Sequence, residues 1–276
     1  MARSRKYTTA KRNRYLAEKR GQGLGSAYKP WHQVVGTHSK GRVARVKGVK
    51  IPRIYHFFND LQRNFFYCFE WNLKIVDIRE HYPLQRNQTL EISKSLNLRH
   101  PIDTQTKVYI DLTVEFFLTV KTEVGINKFM AFTVVNNKKR LSQQKLQIIQ
   151  KYFEQRNVEW RILTREDLDD TTARNFAWCR VAFPETYLES LLYEYLLGLN
   201  ALNTSGLNEL NIVEAAIRVA DAMKISIEVS MSVLKYLLAH KILKTSSMKV
   251  LFSHAKLKDF DFHIPLNQIQ GKKNVS

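Results

Sequence analysis

From Val108 to Val120 the side chains alternate. Val108, Ile110, Leu112, Val114, Phe116, Leu118 and Val120 fall on one side, and Tyr109, Asp111, Thr113, Glu115, Phe117 and Thr119 on the other. A period of two over that length is a long strand, or a bent pair, with one buried face and one mostly polar face. Asp111 and Glu115 share the polar face. This commits the chain to a sheet, and the flanking segments supply its neighbours. Phe58, Leu61, Phe65 and Phe69 recur at helical spacing and predict a helix ending near Trp71, with Asp60, Gln62 and Arg63 outside its apolar stripe. Lys74 to Arg79 reads as a short strand, Pro83 closes it, and residues 85–101 form a polar connection with some helical character. After a turn at Gly125, Lys128 to Val135 is a second strand, followed by the polar loop Asn136 to Arg140. A helix starts at Ser142 with Leu146, Ile149 and Phe153 on its stripe. Val158, Trp160 and Ile162 alternate as a further strand, and Thr164 with Asp167 forms a capping box. The order predicts an α/β domain over residues 54–180.

Pro184 marks a boundary, and residues 185–276 read as a second domain. Glu185 to Leu199 predicts a helix, Gly198 to Gly206 a linker, and Ile212 to Met223 and Val229 to Leu243 two more helices. Met248 to Phe252 predicts part of a β-ribbon. Helix, turn, helix and ribbon is the order of a winged helix.

Charge is distributed unevenly. The formal net charge is +19, with Lys and Arg outnumbering Asp and Glu by 44 to 25. Up to Asn59 the only acidic residue is Glu18. Residues 1–53 are expected to form an extended basic arm with short ordered pieces. Arg20, Lys29, Arg42, Arg45 and Lys47 are its candidate DNA contacts, and Tyr7 and Tyr15 could stack on bases. Gly21, Gly23 and Gly25 resemble a phosphate-cradling loop only superficially, since no strand precedes them and no Gly-Lys-Ser follows. No apolar run is long enough to span a bilayer, and no apolar stretch follows the basic N-terminus as in a secretory signal. Cys68 and Cys179 suit neither a disulfide framework nor a zinc site. The eight histidines show no metal spacing. A reducing cytoplasm is the expected setting.

Several short strings carry more specific information. Arg20-Gly21-Gln22-Gly23 is followed by Tyr28, Pro30 and Trp31. Phe69-Glu70-Trp71 is followed by Asp77-Ile78-Arg79-Glu80 and Tyr82-Pro83-Leu84. With the spacing from Asp60-Leu61 onward, these strings resemble the TnsA family, the endonuclease subunit of heteromeric cut-and-paste transposases. The resemblance implies a restriction-endonuclease-like α/β core followed by a winged-helix C-terminal domain. It also implies Mg²⁺-dependent nicking of transposon 5′ ends, a TnsB-like integrase partner and a TnsC-like AAA+ ATPase partner.

The family's catalytic set is a Glu on the first core helix, an Asp on the long strand and a Gln-x-Lys on the next. Here the Glu position falls on Gln62, the Asp on Glu115, and the Gln and Lys on Thr133 and Val135. Glu115 alone could ligate a metal. The expectation is therefore a DNA-binding transposition subunit with a degenerate nuclease site. Its alternatives are an active Mg²⁺ endonuclease with a rearranged site, drawing on Asp60, Asp111, Lys138 or Lys139, and a non-catalytic winged-helix regulator.

Overall fold

The computed structural model describes residues 6–35, 42–136, 142–245 and 249–262. The chain divides into two compact units, Met1–Leu168 and Asp169–Ser276. In chain order the first unit holds helix α1 (Thr9–Ala17), strands β1 (Ala44–Lys47) and β2 (Ile54–Phe57), helix α2 (Asp60–Trp71), strand β3 (Ile75–Pro83) and helix α3 (Arg86–Ser95). Strands β4 (Thr113–Lys121) and β5 (Asn127–Val134), helix α4 (Gln143–Glu154) and strand β6 (Glu159–Leu163) follow.

The central sheet runs β3-β4-β5-β6. β3, β4 and β5 are antiparallel neighbours, and β6 returns parallel to β5 after α4. One face carries α2, whose Leu61, Phe65 and Phe66 pack with Phe116, Leu118, Phe132 and Val134. Ile148, Ile149, Tyr152 and Phe153 of α4 pack with Phe117 and Ala131 on the other. Because both faces are covered, Phe117 on the expected polar face is only 7% exposed. β4 also begins later than the alternation predicts. Residues before Thr113 leave the sheet, with Ile102 bridging Tyr109 and Leu84 N–H donating to the Leu112 carbonyl.

The basic N-terminal segment is not an extended arm where it is described. Tyr7, Tyr15, Tyr28 and Trp31 are all buried, so Tyr7 and Tyr15 are packing residues rather than base-stacking platforms. Tyr15 meets Trp31 edge-on at 5.3 Å. Gly21 lies at φ 75°, and a Cβ there would come within 2.2 Å of Pro83 Cγ. The Arg-Gly-Gln-Gly and Tyr-Pro-Leu strings are therefore two sides of one contact.

A buried ion pair fixes this arrangement. Arg53 Nη1 donates to Glu80 Oε1 at 2.9 Å, and Nη2 donates to Glu80 Oε2 and to the Ile78 carbonyl. Tyr28 Oη donates to the Glu80 carbonyl at 3.1 Å. His56 N–H donates to Glu80 Oε1 at 3.2 Å. Glu70, 1% exposed, accepts from the N–H groups of Val49 and Lys50.

The second unit contains α5 (Asp170–Cys179), α6 (Glu189–Thr204), α7 (Ile212–Met223), α8 (Ile227–Ala239) and the two-stranded ribbon β7 (Lys244–Thr245) and β8 (Phe260–Asp261). α5, which the sequence pattern groups with the sheet, belongs here. Its Asn175 donates to the Val250 carbonyl and accepts from Phe252 N–H. The expected linker at Gly198 is the middle of α6. A Cβ at Gly198 would sit 3.2 Å from Val219 of α7, so the glycine lets two helices approach closely. The ribbon strands flank the stretch where the sequence predicts one, and Met248 lies outside the described residues. No described helix is long and apolar enough to cross a membrane.

Losing one partner of the buried pair leaves an uncompensated charge, which costs about 3–5 kcal/mol. Arg53→Met is expected to lose that much in urea unfolding, and Arg53→Met with Glu80→Leu to recover most of it. An unfolding midpoint for the single variant equal to wild type would contradict this account.

Candidate functional site

Gln62 sits in the first turn of α2. The turn is set by Asn59, whose Oδ1 accepts from Gln62 N–H at 2.9 Å. The Gln62 side chain folds back so that Oε1 accepts from Phe58 N–H at 2.9 Å. This is close to a reciprocal capping box. It also explains why Gln62, outside the predicted apolar stripe, is only 6% exposed. Its carbonyl oxygen already has a structural duty.

Glu115 sits near the start of β4, where its ladder with β5 ends. There its Oε2 accepts from Val134 N–H at 2.9 Å. Burial in the sheet raises the Glu115 carboxyl above its ordinary range, and the Lys145 ammonium of α4 opposes that rise. By solvent contact the residue is half-buried. Its Oε2 is held inward on the Val134 N–H, so the carboxyl is more desolvated than the residue as a whole. Lys145 lies one helical turn ahead of Ile148 and Ile149, which places it on the sheet-facing stripe of α4. That spacing was visible in the sequence, but no motif singles the residue out.

Thr133 is 4% exposed, and its Oγ1 accepts from the Trp160 indole at 3.1 Å. Val135 continues past β5, its N–H donating to the Leu163 carbonyl at 2.9 Å. Its isopropyl group offers neither charge nor lone pair. The expected positions therefore hold one carboxylate, one amide and one hydroxyl, and the amide and hydroxyl are already bonded within the protein.

The sources considered for a rearranged site are otherwise committed. Asp111 accepts from Tyr7 Oη and from Arg12 Nε at 3.0 Å, so it anchors the N-terminal segment rather than joining Glu115. Asp60 pairs with Arg63 at 2.8 Å on its own helix. Lys138 and Lys139 lie outside the described residues. Burial depresses His32 to about 3 and His81 to about 4, so both are neutral at ordinary pH. Among the described residues no three His, Cys, Asp or Glu side chains gather as a metal would require. Mg²⁺ prefers several anionic oxygens. A single carboxylate with one oxygen tied to a backbone N–H, beside an engaged amide, does not fit that ion.

The candidate DNA contacts divide. Lys29, Arg42, Arg45 and Lys47 are exposed, and Arg45 and Lys47 alternate outward along β1. Arg20 is held inward. Its guanidinium lies 3.9 Å from the centre of the Tyr15 ring, pairs with Glu18 at 2.6 Å and donates to the Trp31 carbonyl at 3.2 Å.

The raised carboxyl of Glu115 has a stability consequence. The folded state binds its proton more tightly than the unfolded state, so stability falls as pH rises from the unfolded to the folded value. Above that window the charged carboxylate weakens the fold. Glu115→Gln should therefore raise the melting temperature at pH 7, and the gain should vanish in acid below the ordinary carboxylate range. A gain that persists unchanged in acid, or a loss at pH 7, would refute this.

Comparison with known proteins adds identity to this geometry. The family model described as TnsA-like endonuclease, N-terminal, matches residues 72–165. That span contains Glu115, Thr133 and Val135 and begins after Gln62. The transposon Tn7 transposition protein TnsA of Escherichia coli is 26% identical over 241 residues, covering 86% of this chain and 85% of that protein. With the order of elements and the strings above, these matches make the chain similar to TnsA proteins and support a TnsA-family assignment.

Proposed function

We propose that this chain is a TnsA-like transposition subunit that binds transposon-end DNA and partner transposase proteins but does not cut DNA. The observation that carries the reading is the residue set at the nuclease positions: Gln62, Glu115, Thr133 and Val135. A phosphodiester-cleaving site of this type needs Mg²⁺ to activate water and neutralise charge on the phosphate. It also needs a cation beside the attacking water. Here Gln62 Oε1 accepts from Phe58 N–H, and Thr133 Oγ1 accepts from Trp160. Removing one positioned acid–base or electrostatic group typically lowers a rate by about two to four powers of ten.

The remaining architecture supports binding. The α2-β3-α3-β4-β5-α4-β6 order, with three antiparallel strands and one parallel return, suits a restriction-endonuclease-like core. In the second unit, α7 ends with Lys224 at φ 55°, and Ser226 caps α8 by accepting from Val229 N–H. The turn between these helices is short, and the β7–β8 ribbon follows, which suits a winged helix. A net charge of +19 and the exposed cations Lys29, Arg42, Arg45 and Lys47 suit a polyphosphate partner. The relative's transposition role suggests a TnsB-like integrase and a TnsC-like AAA+ ATPase as protein partners.

Plasmid carrying transposon ends should bind the chain and stay un-nicked at the transposon 5′ ends in Mg²⁺ or Mn²⁺, with the partner integrase present. Nicking that Glu115→Ala abolishes would overturn the reading.

A further inference from the structure

The order of α7, turn, α8 and ribbon would cast α8 as the helix that enters a DNA groove. Its surface does not suit that task. One side packs inward. Tyr195 Oη of α6 donates to the Ser230 carbonyl at 3.0 Å, and Ser230 Oγ donates to the Ala216 carbonyl of α7 at 2.7 Å. The other side is covered from within the same unit. Tyr187 Oη donates to Ser232 Oγ at 2.7 Å, and its ring meets that of Tyr236 edge-on at 5.2 Å. His240, the C-cap residue, stacks on Phe183 with ring centres 4.5 Å apart. Lys235, the one Lys or Arg of α8, lies over the Trp178 ring at 5.1 Å. After Val229 no residue of α8 is exposed. Only the first turn reaches solvent, and there Ile227, Glu228 and Val229 offer two apolar side chains and a carboxylate. Hydrogen bonds from its own N–H and from the Ser226 hydroxyl hold the Glu228 carboxyl below its ordinary range, so it is charged and repels phosphate.

Charge is divided the same way. Residues 169–276 carry 12 of the 44 Lys and Arg and 11 of the 25 Asp and Glu, so nearly the whole surplus belongs to residues 1–168. Within that first unit the sequence from Lys19 to Asn59 has no acidic residue. The β1–β2 ribbon lies in this stretch. Its antiparallel register sets Arg45 opposite His56 and Lys47 opposite Ile54. The alternate residues Tyr55 and Phe57, 1% and 0% exposed, face the core with Val46 packed against it. Arg45 and Lys47 therefore stand on the outward face, about 7 Å apart along the strand. A groove of duplex DNA admits a two-stranded ribbon as readily as a helix.

Resting on the DNA-binding reading above, we infer that the duplex is held by the first unit, through the outward face of the β1–β2 ribbon, and that α8 enters no groove.

The test uses the full chain and two double variants of equal charge change. Arg45→Gln with Lys47→Gln strips the ribbon. Lys224→Gln with Lys244→Gln strips the turn before α8 and strand β7, the exposed cations that a groove-bound α8 would bring to the backbone. All four side chains are exposed, so both variants should melt with wild type. Binding to transposon-end duplex is followed by fluorescence anisotropy against salt. The ribbon variant should bind about tenfold more weakly, with the magnitude of the salt slope smaller by about 2. The second-unit variant should keep wild-type affinity and slope. Arg45→Lys with Lys47→Arg keeps both charges and should bind as wild type does. A ribbon variant with wild-type affinity, or losses of equal size in both variants, would overturn the assignment while leaving the DNA-binding reading intact. If the ribbon variant melts early, acetylation of wild type decides instead. Bound duplex should protect Lys47 and not Lys224, and a Lys47 as reactive in the complex as in the free chain would overturn the assignment too. Wild type that binds no duplex even at low salt would sink the DNA-binding reading itself.

Discussion

The Arg53–Glu80 pair is the constraint on which the first unit depends. Glu80 is 0% exposed and Arg53 only 9%, so both charges are almost wholly removed from water. Desolvating two ions is costly, and an apolar pair of equal volume often gives up little stability. The pair contributes specificity. Arg53 reaches the Ile78 carbonyl as well as Glu80, and stacks 3.7 Å from the centre of Tyr55. Glu80 also receives His56 N–H, and its carbonyl receives Tyr28. A single placement of the β1–β2 pair beside β3, and a single seat for Tyr28, satisfy all these groups together. A strongly basic N-terminal segment thereby becomes part of a folded unit instead of trailing in solvent.

This explains an asymmetry in what the sequence discloses. The strings that carry the resemblance to TnsA do structural work. Glu70 ties the turn at Val49 and Lys50, Glu80 holds Arg53, and Gly21 lies against Pro83. They remain legible because each has a partner elsewhere in the chain. On the proposed reading the polar side chains at the nuclease positions have instead been drawn into bonds within the protein. Gln62 shows how: an amide at the first turn of α2 completes a cap, where a carboxylate would have served a metal.

The elements themselves were legible wherever one face of a periodic segment met a core. β5, α4, β6 and the Thr164–Asp167 box follow the predicted pattern closely. The failures share a cause, which is a partner distant in sequence. Asp111 shares a strand face with Glu115 by period, yet Arg12 and Tyr7, about a hundred positions away, draw it off the sheet. Gly198 reads as a break until Val219 supplies the reason for it. Asn175 belongs with Phe252 rather than with the preceding strands, which moves the boundary to Leu168. At the candidate site the identities of Glu115, Thr133 and Val135 could be read directly. Their bonds to Val134 N–H, Trp160 and the Leu163 carbonyl could not.

Binding DNA and cutting it make opposite electrostatic demands. A surface that binds phosphates must be positive, and a pocket that recruits Mg²⁺ must be negative enough to strip part of the ion's hydration. In a cleaving enzyme the two meet at the scissile phosphate. On the proposed reading the negative half is reduced here to Glu115, whose charge is opposed by burial and favoured by Lys145. On that reading the positive half remains in the exposed cations of β1. On the proposed reading these halves separated because they rest on different residues. The ammonium facing Glu115 then takes over a task the metal would otherwise perform, keeping an inward carboxylate tolerable in a chain that binds its substrate without reacting with it.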